Sequence, residues 1–246
     1  AGTILVKDIN PGGSDSNISH MIAVGSTLYF RATHSSYGAE LWKSDGTDAG
    51  TVLVKDINAG AANNSYPSDL IAVGSTVFFR ANDGTNGVEF WKSDGTDVGT
   101  DIVKDINTGS GNSSPNYIVV LGSTLYFRAI DSANGSELWK SDGTSAGTVL
   151  VKDICPGINN GNPHFMTLFG SKFVFGADDG TNGLEPWISD GTAAGTVMLK
   201  NINPAGASQI LAFAVVGSTI FASVDDGSSG SELWKSDGTE AGTVMV

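Results

Sequence analysis

Apolar residues along this chain come in short runs, each closed within a few positions by Gly, Asn, Asp or Ser. Near the N-terminus the runs are His20 to Val24, Thr27 to Ala32, Glu40 to Lys43 and Thr51 to Ile57, all rich in Val, Ile, Phe, Tyr or Trp. That chemistry predicts β-strands joined by turns, and no stretch carries a helical period. Gly25-Ser26, the run around Ser35 to Gly38, and Asp45 to Gly50 are short enough to be hairpin links.

The group of four then repeats. ELWKSDGT at Glu40 to Thr47 returns as EFWKSDGT from Glu89, ELWKSDGT from Glu137, EPWISDGT from Glu185 and ELWKSDGT from Glu232. Its tryptophans, Trp42, Trp91, Trp139, Trp187 and Trp234, are spaced 49, 48, 48 and 47 residues apart. Four antiparallel strands recurring at this period are the pattern of propeller blades, because a twisted sheet with two apolar faces buries both only by stacking on neighbours. The prediction is an all-β, five-bladed β-propeller. It forms a single domain over residues 1–246, with blades at about 10–57, 58–106, 107–154, 155–202 and 203–246. The strand near Met21 to Val24 is expected innermost and TVLVKDI outermost, with Lys55, Lys104 and Lys152 guarding an exposed edge.

The outer-strand sequence occurs once more than the other three, since residues 1–9 (AGTILVKDI) are an additional copy. Either Thr3 to Ile9 completes the last blade and closes the ring, or Thr243 to Val246 does so and the N-terminal copy belongs elsewhere. In a third arrangement the spare strand adds to a neighbouring molecule or to a further repeat. A segment of a longer repetitive chain is the preferred reading.

The Glu-Leu-Trp-x-x-Asp-Gly-Thr signature followed by AGTVLVKDI resembles the bacterial repeat family named after the ELWxxDGT motif, over essentially the whole chain. The resemblance implies a β-propeller from a secreted or surface-associated protein, hence an extracellular or cell-surface location, and carries no settled activity with it. Pro186 and Ile188 depart from the signature, and Pro within a strand predicts a bulge or an outward-facing N–H. Five-bladed lectins of the tachylectin type are similar in architecture only.

Composition narrows the partners. Thirteen basic residues against 26 acidic ones give a net charge of −13, which repels phosphate backbones and anionic lipid, so nucleic acid is not expected. No apolar run reaches membrane-spanning length, no membrane insertion is expected, and the N-terminus has no signal-peptide pattern. The lone Cys155 allows no intramolecular disulfide or cysteine metal site.

Glu and Trp of each signature share one face of a strand, as Glu40 and Trp42 do. Exposed, the pair would suit a sugar; buried, it would pack blades, which is what a feature common to all five copies suggests. Arg31, Arg80 and Arg128 end the second strands and are expected to pair with the Glu that begins the third, although Gly176 and Ser223 replace them later. Asp45, Asp94, Asp142, Asp190 and Asp237 are expected to cap turns. No cofactor is implied, and the calcium candidates are the loops holding Asp83, Asp178, Asp179, Asp225 and Asp226.

The histidines fall at unrelated repeat positions and no phosphate loop or triad is visible, so the chain is not expected to be an enzyme. The linkers between blades vary most, and their Tyr66, Tyr117 and His164 are, with the three arginines, the ligand-binding candidates. These features point to a non-enzymatic extracellular binding or scaffold module for protein-protein contact, adhesion or self-association. The alternative is a multivalent lectin that binds polysaccharide on or between blades.

Overall fold

The computed structural model describes residues 2–246; Ala1, the first residue of the spare outer-strand copy, lies outside them. The described residues form twenty strands and no helix, gathered into five antiparallel sheets of four consecutive strands, which is the five-bladed β-propeller that the repeat predicts. Two compact units divide the chain, Ala1–Pro115 and Asn116–Val246.

The first unit holds two blades. Blade 1 is β1 (Ser19–Val24), β2 (Thr27–His34), β3 (Gly38–Ser44) and β4 (Val52–Lys55), and blade 2 is β5 (Ser68–Val73), β6 (Thr76–Asn82), β7 (Val88–Ser93) and β8 (Asp101–Lys104). In the second unit, blade 3 is β9 (Asn116–Leu121), β10 (Thr124–Asp131), β11 (Gly135–Ser141) and β12 (Val149–Lys152), followed by blade 4 with β13 (His164–Phe169), β14 (Lys172–Asp178), β15 (Leu184–Ser189) and β16 (Val197–Met198). Blade 5 is β17 (Ile210–Val216), β18 (Thr219–Asp225), β19 (Ser231–Ser236) and β20 (Val244–Met245).

Local chemistry sets these sheets. Val24 faces Thr27 across the two-residue Gly25-Ser26 turn, and Gly25 takes the left-handed φ of 60° that such a turn demands. In the DGT loop Asp45 Oδ1 accepts the Thr47 amide (2.9 Å) and hydroxyl (2.7 Å). Asp94, Asp142, Asp190 and Asp237 repeat both bonds. The threonine hydroxyl, then its amide, holds Asp45, Asp94, Asp190 and Asp237 below the usual carboxylate range.

Within each unit, one face of a blade packs on the opposite face of the next. Leu41, Val54 and Ile57 of blade 1 and its linker meet Val77, Phe79 and Trp91 of blade 2, and Leu138, Val151 and Ile154 likewise meet Phe173, Phe175 and Trp187. Four of the signature tryptophans, Trp42, Trp91, Trp139 and Trp187, are buried. All five indole N–H groups lack a hydrogen-bond partner among the described residues, so packing and ring contacts hold these rings, as where Lys152 Nζ lies 5.7 Å from the Trp187 ring centroid. The four buried rings offer no face for a sugar.

The signature glutamates are the blade-to-linker fasteners. Glu40, Glu89, Glu137 and Glu185 are completely buried. Glu40 accepts the Ile57 amide (3.0 Å), the Ser65 amide (2.9 Å) and the Ser65 hydroxyl (2.5 Å), all from the linker leading to blade 2. Glu137 takes the amides of Ile154 and Gly161, and Glu185 takes the Ile202 amide and the Ser208 hydroxyl. Burial pushes all four carboxyls up, Glu40 and Glu137 to about 7, against the opposing pull of these donors.

Two expectations are corrected and two sets of alternatives are narrowed. The arginines do not pair with the glutamates: Arg31 stands opposite Leu41 and Glu40 opposite Ala32, so alternation places the two side chains on opposite faces. Lys55 and Lys152 tie neighbouring blades together in place of guarding an edge, since Lys55 Nζ donates to Thr100 O (2.9 Å) and Lys152 Nζ donates to Thr196 O (2.7 Å). Of the two forms expected at Pro186, a bulge is absent toward β14, where the register runs unbroken from Phe173 opposite Ser189 to Asp178 opposite Leu184, and the Pro186 backbone turns outward, its carbonyl accepting the Leu199 amide at 2.7 Å. Finally, Thr3 to Ile9 is not the outer strand of the last blade, because β20 fills the fourth place of that sheet and residues 2–9 form no strand.

Candidate functional site

Variable positions gather where each first strand begins. In blades 1 to 4 its pairing with the second strand is interrupted by a bulge. His20, Asp69, Tyr117 and Phe165 occupy the same place in that bulge, with φ of 51°, 54°, 53° and 54°. None is glycine, and left-handed backbone at such residues costs on the order of 1–2 kcal/mol each. Strain of this kind concentrates at functional positions.

The residue preceding each bulge position faces the second-strand arginine. Ser19 stands opposite Arg31, Ser68 opposite Arg80 and Asn116 opposite Arg128. Arg80 Nε donates to Ser68 Oγ (2.7 Å), and Arg128 Nε donates to Asn116 Oδ1 (2.9 Å). In blade 4 the arginine is replaced by Gly176 and its partner is His164. The exchange is steric, because a Cβ at Gly176 would lie 3.0 Å from His164 Cε1.

In the first unit these positions surround an open pocket of about 450 Å³ that includes His20, Arg31, Tyr66, Ser68, Arg80 and Asn64. Arg31 lies over the Tyr66 ring, 5.9 Å from its centroid. Arg80 also pairs with Asp69 at 2.9 Å. Burial, aided by the positive field of Arg31, lowers the His20 pKa, which keeps the imidazole neutral near pH 7. Guanidinium, phenol, amide and hydroxyl groups therefore meet in one hollow of an acidic chain.

A second cluster lies in the other unit. Arg128 sits over Tyr117 at 4.9 Å, and the Tyr117 ring is 6.3 Å from His164 and 6.1 Å from Phe165. His164 Nδ1 is 2.9 Å from Asn162 O, which fixes Nδ1 as the protonated nitrogen. Burial lowers this pKa as well, so the ring is neutral near pH 7 with Nε2 as an acceptor.

The structure thus brings Tyr66 to Arg31 and Arg80, and Tyr117 to Arg128 and His164. Arg31, Arg80 and Arg128 stand opposite Leu41, Phe90 and Leu138, on the sheet face away from the signature glutamates. Sequence reading misses His20, Asp69 and Phe165. Aligning the repeats column by column would have exposed them, since they share the Tyr117 column.

In the calcium-candidate loops the aspartates cap turns, accepting hydrogen bonds from nearby amides. Asp83 Oδ1 accepts the amides of Thr85 and Asn86 (both 2.8 Å) and Oδ2 accepts Asn86 Nδ2 (2.7 Å). Asp179 repeats this pattern, Asp226 takes the amides of Ser228 and Ser229, and Asp178 and Asp225 take those of Gly180 and Gly227. Among the described residues, no group of three or more His, Cys, Asp or Glu side chains is placed to hold a metal. No helix is long and apolar enough to cross a membrane.

No protein-family profile and no curated protein sequence matches the chain. Solved structures do. A puromycin hydrolase is similar with a TM-score of 0.57 at 10% identity, over 96% of this chain and 39% of the hydrolase. Oligopeptidase B from Leishmania major gives 0.56 at 11% identity, over 94% of this chain and 33% of that one. The GH74 xyloglucanase from Xanthomonas campestris gives 0.52 at 17% identity, over 91% and 37%. The chain spans only 33% to 39% of the length of these proteins, and the likeness shows the fold.

The comparison overturns the expectation that the chain is not an enzyme. The same fold occurs in a hydrolase and a peptidase, so regular repeats and unmatched histidines are no ground for setting enzymes aside.

Proposed function

We propose that the chain is a binding module whose ligand is an anionic polysaccharide, taken up in the pocket of Arg31, Arg80, Tyr66 and His20. One observation carries the reading: two guanidiniums and an aromatic ring converge on an open hollow of about 450 Å³ in a chain of net charge −13. A ring that already stacks on Arg31 presents an apolar surface to a pyranose, and the arginines supply forked donors for carboxylate or sulfate oxygens. Asn64 and Ser68 add hydroxyl-matching groups at the same wall. The Arg128, Tyr117 and His164 cluster offers related chemistry and supports a second, unequal site. An extracellular or cell-surface location fits such a ligand.

The test is titration calorimetry with carboxylated, sulfated and neutral polysaccharides. Binding of an acidic member, weakened by salt and lost in the Arg31→Ala, Arg80→Ala double variant, supports the reading. Absence of binding to every acidic polysaccharide, or equal binding by the double variant, removes it.

A contact with protein, including a second copy of this chain, is the other reading. It is favoured by large apolar residues exposed within the repeats, among them Met21, Val98 and Ile158.

A further inference from the structure

The two arginines of the first unit's pocket share one place in the repeat but differ in what neutralises them. Arg80 Nε donates to Ser68 Oγ (2.7 Å) and pairs with Asp69 Oδ2 at 2.9 Å, so one edge of its guanidinium is already held. Among the described residues Arg31 has no carboxylate at ion-pair distance, and its neighbour is the Tyr66 ring, 5.9 Å away. Each arginine stands opposite a serine, Ser19 for Arg31 and Ser68 for Arg80, so the cross-strand partner is not the source of the difference.

The source is the left-handed bulge position, which holds His20 in blade 1 and Asp69 in blade 2. Asp69 lies beside the arginine of its own blade and cancels its charge, whereas His20, neutral near pH 7, leaves Arg31 uncompensated. The second unit varies the same position with a third residue type, since Tyr117 there lies under Arg128 at 4.9 Å. The hollow of about 450 Å³ therefore presents Arg31 as an open cation, with the Asp69 carboxylate held on the Arg80 that lines its wall. The side chains of that pair stay 39% and 32% exposed, Asp69 and Arg80 respectively, so the carboxylate meets an incoming ligand.

We propose that Asp69 sets the charge specificity of this pocket: it occupies Arg80, leaves Arg31 as the anion seat, and so selects a polysaccharide with a single carboxylate per sugar over a densely sulfated one. This specificity presupposes that the pocket takes an anionic polysaccharide, and it narrows that ligand to the polyuronate class. A sugar carboxylate is planar and matches the forked donors of Arg31. A second anionic group on the same sugar meets Asp69, and like charges brought together disfavour that ligand.

Asp69→Asn removes the charge and keeps the shape, and asparagine tolerates left-handed backbone as aspartate does. Calorimetric titrations of wild type and variant with polygalacturonate and with dextran sulfate give the ratio of the two affinities. In the variant Arg80 is released to a second anionic group, so the ratio should shift about tenfold toward dextran sulfate, the scale of one added hydrogen bond to a charged group. Dextran sulfate binding should also become more sensitive to salt. A merely structural role for Asp69 would move both affinities together and leave the ratio unchanged. Wild-type binding with an unshifted ratio, or a variant weakened equally toward both polymers, overturns the role of Asp69 and leaves the polysaccharide pocket standing. A wild type that binds neither polymer removes both.

Discussion

Replacing Glu40 by Ala removes the acceptor of three hydrogen bonds at once, from the Ile57 amide, the Ser65 amide and the Ser65 hydroxyl. All three donors are buried, and a buried donor left without an acceptor costs about 1–3 kcal/mol. Part of that loss is returned, because the wild-type carboxyl is itself held in a poorly solvated place that pushes its pKa up to about 7. A net loss of about 3–5 kcal/mol follows, a large share of the 5–15 kcal/mol that a folded domain typically possesses. Glu232→Ala is the internal control, since Glu232 belongs to the same signature but is exposed, and it should cost under about 0.5 kcal/mol. Urea unfolding followed by the fluorescence of the five tryptophans measures both. If Glu40→Ala and Glu232→Ala shift the midpoint equally, the glutamate does not fasten blade to linker and the reasoning fails.

Other consequences can be measured in the same way. Glu40 and Glu137 have folded-state values raised to about 7 above an ordinary 4.5, so their contribution is fully present below about pH 4.5 and is lost as pH rises through 7. Melting temperature should therefore fall between pH 5 and pH 8, less steeply in the Glu40→Gln, Glu137→Gln double variant; an identical slope would refute the assignment. Gly95 has φ of 89°, and an added Cβ would lie 2.3 Å from Tyr29 Oη, whereas Gly25 at φ 60° has open space around it. Gly95→Ala should cost about 2–4 kcal/mol and Gly25→Ala about 1–2, and the opposite order in unfolding would contradict the packing described. Phe79, completely buried between blades, should cost about 3–5 kcal/mol when truncated to Ala, read from the same urea midpoints.

The repeat and its strands are legible in the sequence because they rest on side-chain identity: Trp at a fixed interval, Gly where φ turns positive, Asp two residues before the Thr it caps. What escapes is carried by backbone. The partners of Glu40 include the amides of Ile57 and Ser65, and an amide leaves no mark on residue type. The Arg and Glu side chains look like neighbours in sequence, yet the register of β2 on β3 puts Arg31 opposite Leu41 and separates them by the thickness of the sheet. The left-handed bulge is silent in residue type, since His20, Asp69, Tyr117 and Phe165 share a conformation and no chemistry, and only their common place in the repeat marks them. Tyr66, Tyr117, His164 and the three arginines are nevertheless legible as candidates, because aromatic and cationic groups stand out against linkers of Asn, Ser and Gly.

The central claim is a division of labour, with the constant signature fastening blades and the variable first-strand positions binding ligand. Calorimetric titration of an acidic polysaccharide into the wild type and the Arg31→Ala, Arg80→Ala double variant tests it most directly, with unfolding midpoints taken on the same samples. The account predicts salt-sensitive binding by the wild type, at least about a tenfold loss in the double variant, and a midpoint that hardly moves because neither guanidinium fastens blades. Undiminished binding by the double variant, or a collapse of its stability, would contradict it.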